Sequence, residues 1–121
     1  MSSRKDLAVS FLDARTRGNA REAFGTYLTP GFVHHDVHFP AKPLELAKGL
    51  DENDAEHPDK DFEIQRVVEH GDTVISHSRV ALLGMEISAV HTLRFEGDQI
   101  AEMWDVAAPV PDDSPNSNGP F

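Results

Sequence analysis

The sequence contains no cysteine in its 121 residues, and it has only 11 Lys and Arg against 21 Asp and Glu. The missing cysteine excludes disulfide bonds, thiol nucleophiles and thiolate metal sites. The formal net charge of −10 repels phosphate backbones and anionic lipid surfaces, so we expect neither nucleic-acid nor membrane binding. The sequence also lacks a glycine-rich phosphate loop, a nucleophile elbow and a dinucleotide fingerprint.

Long hydrophobic runs are absent as well. No apolar stretch approaches the roughly 18 residues that a membrane span needs, and residues 1–6 have no apolar run typical of a signal peptide. We therefore expect a cytoplasmic protein. The hydrophobic fraction of 39% and the charged fraction of 26% are ordinary for a globular chain, and the length suits one domain with a sizeable core.

Helical patterns dominate the first part of the chain. Ser2 or Ser3 is a suitable N-cap for a first helix, Gly18 ends that helix, and a second short helix is predicted over residues 20–28. The Thr-Pro-Gly sequence at residues 29–31 predicts a break.

Beyond this break, residues 32–42 are predicted to be a connecting segment, and Pro43 suits the first position of a third helix. An acidic run follows at residues 51–61. Such a run is typical of a solvated face or a loop.

The second half of the chain changes to an alternating apolar pattern with short glycine-containing turns. This pattern predicts a meander of four strands at residues 62–70, 73–83, 85–96 and 99–108. Helices followed by strands indicate an α+β fold in which the helices pack on one face of a curved sheet. We expect one domain over residues 1–108. The tail, 109–121, is rich in Pro, Asp, Ser and Asn, which indicates flexibility; alternatively it drapes over a neighbouring subunit through Phe121.

Histidines give the first indication of a functional site. Alternation places His91 on one face of its strand with Leu93 and Phe95, an apolar face that we expect to point inward. In the preceding strand, His77 shares a face with Ile75. A histidine on an apolar face is either a functional group or a core residue with one hydrogen-bond partner.

The Trp104-Asp105 pair gives the second indication. A carboxylate among aliphatic and aromatic neighbours is costly to bury unless it is paired or protonated, and burial alone would raise the pKa of Asp105 towards the range of a general base. Strict alternation puts Asp105 with Met103 and puts Trp104 on the other face. Periodicity does not decide which of the two faces the pocket, and a bulge would change the answer.

A metal site is a further hypothesis. His34, His35, Asp36 and His38 have the side-chain chemistry of metal ligands, and His77 or His91 could complete a site. The helical histidine spacings of known metalloenzymes are absent, so we expect no metal.

Three segments resemble the SnoaL-like polyketide cyclase branch of the nuclear transport factor 2-like superfamily. They are residues 27–35, residues 67–72 (Val-Val-Glu-His-Gly-Asp), and residues 91–106, where Arg-Phe, Gly-Asp, Ile-Ala-Glu and Trp-Asp follow in order. The resemblance implies a cone-shaped α+β barrel, with a strongly curved, mixed but mostly antiparallel sheet around the N-terminal helices. It also implies a homodimer formed through the outer sheet face.

The resemblance further implies an enzyme without metal or organic cofactor that closes a ring by intramolecular aldol condensation. In this sequence Asp105 matches the general acid–base carboxylate, and His91 or His35 would donate to the developing oxyanion. Isomerisation or dehydration of a small apolar or aromatic carbonyl compound would use the same groups. The alternative is a non-catalytic small-molecule-binding protein. The remaining residues expected to bind the substrate are His34, His38, His77, Phe24, Tyr27, Phe32, Ile75, Leu93, Phe95 and Trp104.

Overall fold

The computed structural model describes residues 3–121, in which three helices and five strands follow one another. In chain order the elements are α1 (Arg4–Arg15), α2 (Ala20–Tyr27), β1 (Leu28–His34), α3 (Pro43–Glu56), β2 (Asp61–His70), β3 (Thr73–Leu82), β4 (Met85–Glu96) and β5 (Gln99–Pro109). No helix in this range is both long and apolar enough to cross a membrane.

Helix α1 is capped by one of the two predicted residues. The Ser3 hydroxyl accepts a hydrogen bond from the Asp6 backbone N–H at 3.1 Å, which satisfies one of the free donors at the helix start; Ser2 lies outside the described residues. One stripe of the helix is buried. It carries Phe11 and Leu12 and ends in a charged residue, Arg15.

Helix α3 begins at Pro43, as predicted, but it extends to Glu56 and includes half of the acidic run. Within it, Asp51 accepts hydrogen bonds from the backbone N–H groups of Ala20 at 2.7 Å and Arg21 at 3.3 Å. Helix α2 has no side-chain cap of its own, so Asp51 supplies that function from a neighbouring helix. The acidic run is therefore more than a solvated face or a loop.

The five strands form one mixed sheet in the order β1-β5-β4-β3-β2. Strands β2 to β5 are the predicted antiparallel meander, and β1 pairs with β5 in parallel. The predicted α+β fold is thus confirmed. Strands β1 and β2 are the edges of the sheet in the described part of the chain, so the curved sheet is not closed into a full barrel.

Strand β1 was not predicted, because its region contains Pro30 and Gly31. Both residues lie where the pairing register with β5 shifts, between Leu28 and Val33, and β1 is an edge strand. An edge tolerates proline because one side of the strand needs no hydrogen bonds. The residues that predicted a break in the chain therefore lie at an irregularity within a strand.

The sheet has two different faces. The inner face packs against the helices and carries buried side chains such as Val74, Leu93 and Met103. The outer face carries exposed apolar side chains, among them Val106. The tail lies on this outer face: the Val110 N–H donates to the Glu86 carbonyl oxygen at 2.9 Å, and the Phe121 ring centroid is 5.5 Å from that of His77.

Candidate active site

A cavity of about 330 Å³ lies between the helices and the inner face of the sheet. One side of its wall is apolar and includes Phe39, Leu50, Phe62 and Ile87. The polar side chains that line it belong to different elements: Arg15, Thr16, Asp36, His38, Asn53, Asp54, Lys60, His91 and Asp105. An apolar wall with a few convergent polar groups is the usual construction of a small-molecule site.

A larger cleft, of about 540 Å³, opens beside the turn between β3 and β4. It is lined by the half-buried ion pair of Arg79 and Glu86 and by residues at the end of α3. It shares only Lys60 and Leu82 with the smaller cavity and contains none of the buried acidic groups. The smaller cavity is therefore the candidate active site.

The pairing register between β4 and β5 decides whether Trp104 or Asp105 faces the cavity, which the sequence left open. Phe95 pairs with Ile100, Arg94 pairs with Glu102, and Ala101 is the additional residue of a bulge. Beyond this bulge the alternation is regular, so Met103 and Asp105 face inward. Trp104 lies on the outer face.

Three side chains form a buried triangle on the cavity wall. Arg15 Nη2 lies 3.3 Å from Asp105 Oδ2 and 3.1 Å from His91 Nε2, and His91 Nε2 lies 3.3 Å from Asp105 Oδ2. Arg15 is only 5% exposed and His91 only 2%. The guanidinium is a permanent donor, so His91 Nε2 either accepts from Arg15 or, when protonated, donates to Asp105.

The triangle determines the charge state of Asp105. Burial alone would raise the pKa of this carboxyl, but the hydrogen bond and charge of His91 and the charge of Arg15 outweigh burial and hold its pKa well below the usual range. Burial acts in the direction expected from the sequence, but the net shift of this pKa is downward because of Arg15 and His91, which the sequence analysis did not place beside Asp105. Asp105 is ionised in the cavity at neutral pH.

A second carboxyl group, that of Asp36, lines the same cavity. Burial raises the pKa of Asp36, the nearby charge of Asp105 raises it further, and the His38 backbone N–H acts in the opposite direction. Asp36 and Asp105, which line one cavity, thus have pKa values shifted in opposite directions. Such a separation is typical of acid–base pairs in active sites.

His34 positions the segment that carries Asp36. Its Nε2 lies 2.9 Å from the Pro40 carbonyl oxygen, and its Nδ1 accepts a hydrogen bond from the Asp36 backbone N–H at 3.2 Å. The His38 N–H in turn donates to Asp36 Oδ1 at 3.0 Å. Both ring nitrogens of His34 are therefore engaged with the backbone, which leaves the ring a positioning role.

Several other residues predicted from the sequence lie outside the cavity. On the outer face, the rings of His35 and Trp104 stack at 5.0 Å. His77 and Ile75 also lie on that face, and Ile75 is 47% exposed, because β3 turns Val74, Ser76 and Ser78 inward instead. The aromatic and aliphatic residues that belong to the hydrophobic core or pack against it, rather than lining the cavity, are Phe24, Tyr27, Phe32, Leu93 and Phe95.

The sequence analysis missed Arg15 as a site residue and considered Asp36 only as a metal ligand. Arg15 had a signal: it follows Ala8 by seven positions and Phe11 by four, so a charged residue continues a buried stripe. The proposed ligand set is also not assembled, since His35 and His77 lie on the outer face. Within residues 3–121, no group of three or more His, Asp or Glu side chains is placed to hold a metal ion.

The structure is thus an α+β fold in which the helices pack on the inner face of the sheet and buried charged groups line one cavity. A family model described as the SnoaL-like domain matches residues 8–103, and this chain belongs to that family. No curated protein sequence matches the chain.

Solved structures agree with this fold. AclR, a putative hydroxylase from Streptomyces galilaeus, is 20% identical with a TM-score of 0.72 over 87% of this chain and 88% of that one. IdmH, a putative polyketide cyclase from Streptomyces antibioticus, is 18% identical with a TM-score of 0.71, over 88% and 92%. A SnoaL-like polyketide cyclase from Agrobacterium tumefaciens is 17% identical with a TM-score of 0.72, over 89% and 93%. At these identities the likeness shows the fold alone.

Proposed function

We propose that this protein is an enzyme that needs no cofactor and acts on an activated C–H bond of a small carbonyl compound. The observation that carries the proposal is the buried cluster of Arg15, His91 and Asp105 on the cavity wall, with Asp36 lining the same cavity. Aldol cyclisation, isomerisation and dehydration all begin with removal of such a proton. The family membership and the structural neighbours named as cyclases support the same class.

The cluster suits proton abstraction next to a carbonyl group. A carboxylate of the Asp36–Asp105 pair takes the proton, the C–H electron pair forms the enolate double bond, and the carbonyl oxygen becomes an oxyanion. Arg15 and His91 then stabilise that oxygen; one such donor is worth about 10²–10³ in rate. His35 takes no part, because it lies on the outer face against Trp104.

The cavity limits the substrate. A volume of about 330 Å³ lies at the lower end of the range for ligand pockets, which favours a compound of one or two rings over a large polycyclic one. The apolar wall formed by Phe39, Leu50, Phe62 and Ile87 favours an aromatic or aliphatic body. We expect one carbonyl group of the substrate to point at the Arg15 guanidinium.

The test is deuterium wash-in from D2O at the acidic C–H positions of aromatic β-dicarbonyl compounds. We expect exchange by the wild type and a loss of about 10²–10⁴-fold in the double variant Asp36→Asn/Asp105→Asn, since it removes the positioned acid–base group whichever carboxylate of the pair it is. Asp113→Asn, in the exposed tail, is the matched control and should exchange like the wild type. Saturable binding without exchange would instead support a small-molecule-binding protein.

We also propose that two copies of the chain associate through the outer face of the sheet. Exposed apolar side chains cluster there: Val33, Ile75, Val90, Trp104 and Val106. A contiguous apolar patch of this kind is typical of an interaction surface. Sedimentation equilibrium should give a dimer for the wild type and for Leu44→Asp on α3, and a monomer for Val106→Asp.

A further inference from the structure

Asp36 and Asp105 are the two candidates for the general base of this site. Both groups line the cavity. A carboxylate held by a cation is a weaker base than one without such a partner, because the cation stabilises the ionised form.

The neighbours of the pair decide which member holds the proton. Arg15 and His91 both contact Asp105, whereas Asp36 receives only the backbone N–H of His38. The negative charge is therefore most stable on Asp105 and the proton on Asp36. The opposite directions of the two pKa shifts agree with this assignment.

The cations near Asp36 are each paired with another carboxylate. Helix α1 contributes the cation of Arg15, β5 the anion of Asp105 and β4 the imidazole of His91. The segment of Asp36 itself contributes His34, whose Nδ1 accepts from the backbone, and His38. Across the cavity, Lys60 and Asp54 form an ion pair with each other. No unpaired cation among the described residues of the cavity competes for an ionised Asp36.

We propose that Asp36 is the catalytic general base of this site, and that Asp105 is an anionic positioning residue that orients Arg15 and His91. This inference rests on the proposed function. The ionised Asp36 takes the C–H proton, the C–H electron pair forms the enolate double bond, and the oxyanion is stabilised by Arg15 and His91. Asp36 then returns the proton to a carbon atom of the intermediate.

The first test compares the pH dependence of deuterium wash-in for the wild type, Asp36→Asn and Asp105→Asn. We expect the wild-type rate to rise with pH as Asp36 ionises. Asp36→Asn should lose about 10²–10⁴-fold of the rate and the rise with pH. Asp105→Asn should be slower but keep the rise, moved to lower pH, because Asp36 no longer faces a negative charge.

A loss in Asp105→Asn with no change in Asp36→Asn would overturn the assignment and leave the proposed function standing. No exchange by the wild type would instead reject the proposed function, and with it the catalytic role of Asp36. The location of the proton has its own test, a carbon NMR titration of wild type labelled at aspartate Cγ. The Asp36 signal, assigned by its absence in Asp36→Asn, should titrate above the ordinary aspartate value of about 3.9; a midpoint at or below that value would overturn the proposal.

Discussion

His91 and His77 lie on neighbouring strands but on opposite faces of the sheet. On the inner face, His91 is buried, its Nε2 lies within 3.3 Å of a cation and an anion, and its Nδ1 has no partner. On the outer face, His77 Nε2 bonds the Ser88 hydroxyl at 2.7 Å, and its ring contacts Phe121. The same side chain is thus part of a charged cluster in one place and a structural contact in the other.

The ion pairs of the two faces differ in the same way. Arg15 and Asp105 are almost completely shielded from solvent, whereas Arg94 and Glu102 form their pair at the surface. The pKa of Glu102 is also lowered, first by its hydrogen bond to His35 and then by Arg94. Water and salt screen such a surface pair. The sign of a pKa shift therefore does not distinguish a functional carboxylate from a surface one; burial and convergence on a cavity do.

The largest effect on stability should follow from removing the buried cation. Arg15→Met leaves Asp105 ionised and unpaired in the cavity wall, which we expect to lower the free energy of unfolding by about 3–5 kcal/mol. Arg94→Met, on the outer face, should cost far less. Urea unfolding at neutral pH measures both. Equal losses would show that the two faces do not differ electrostatically.

The rate of deuterium wash-in should fall on substitution of His91 but not of His77. His91→Phe removes a donor at the developing oxyanion but keeps an aromatic ring, so deuterium wash-in should fall by about 10²–10³-fold. His77→Phe should change the rate by less than about twofold, since its neighbours Ser88 and Phe121 lie away from the cavity. Circular dichroism of both variants controls for folding. A similar fall in both would remove His91 from the proposed mechanism.

Stability should depend on pH in opposite ways for the two carboxyl groups. The depressed pKa of Asp105 contributes stability that is present above the unfolded value, about 3.9, and is lost as the pH falls through the folded pKa. The raised pKa of Asp36 contributes stability that is present below the unfolded value and is lost as the pH rises through the folded one.

Urea unfolding of Asp105→Asn and Asp36→Asn between pH 3 and pH 8 tests these signs. The deficit of Asp105→Asn relative to wild type should be largest at neutral pH, about 1.5–3 kcal/mol for hydrogen bonds to a charged group, and should shrink in acid. The deficit of Asp36→Asn should be largest in acid and shrink as the pH rises. A common pH trend would contradict the opposite directions of the two pKa shifts.

Local patterns predicted much of the fold, and long-range pairings account for most of what they missed. Alternation and glycine turns sufficed for the antiparallel meander and for the inward orientation of His91. Strand β1 could not be predicted because its partner, β5, is about 70 residues away. The direction of Asp105 depended on one extra residue, Ala101, in a bulge. Arg15 becomes a site residue only through Asp105, which lies 90 positions later.

The smallest effect should come from the tail. Phe121 meets His77 at a ring distance of 5.5 Å and an interplanar angle of 31°, and such ring pairs contribute about 0.5–1.5 kcal/mol. Because the last residues of a chain are easily displaced, Phe121→Ala should lower the free energy of unfolding by less than about 1 kcal/mol. It should leave deuterium wash-in unchanged, since the tail lies on the outer face. A clear fall in the exchange rate would mean that the outer face communicates with the cavity, and the division between the two faces would no longer hold.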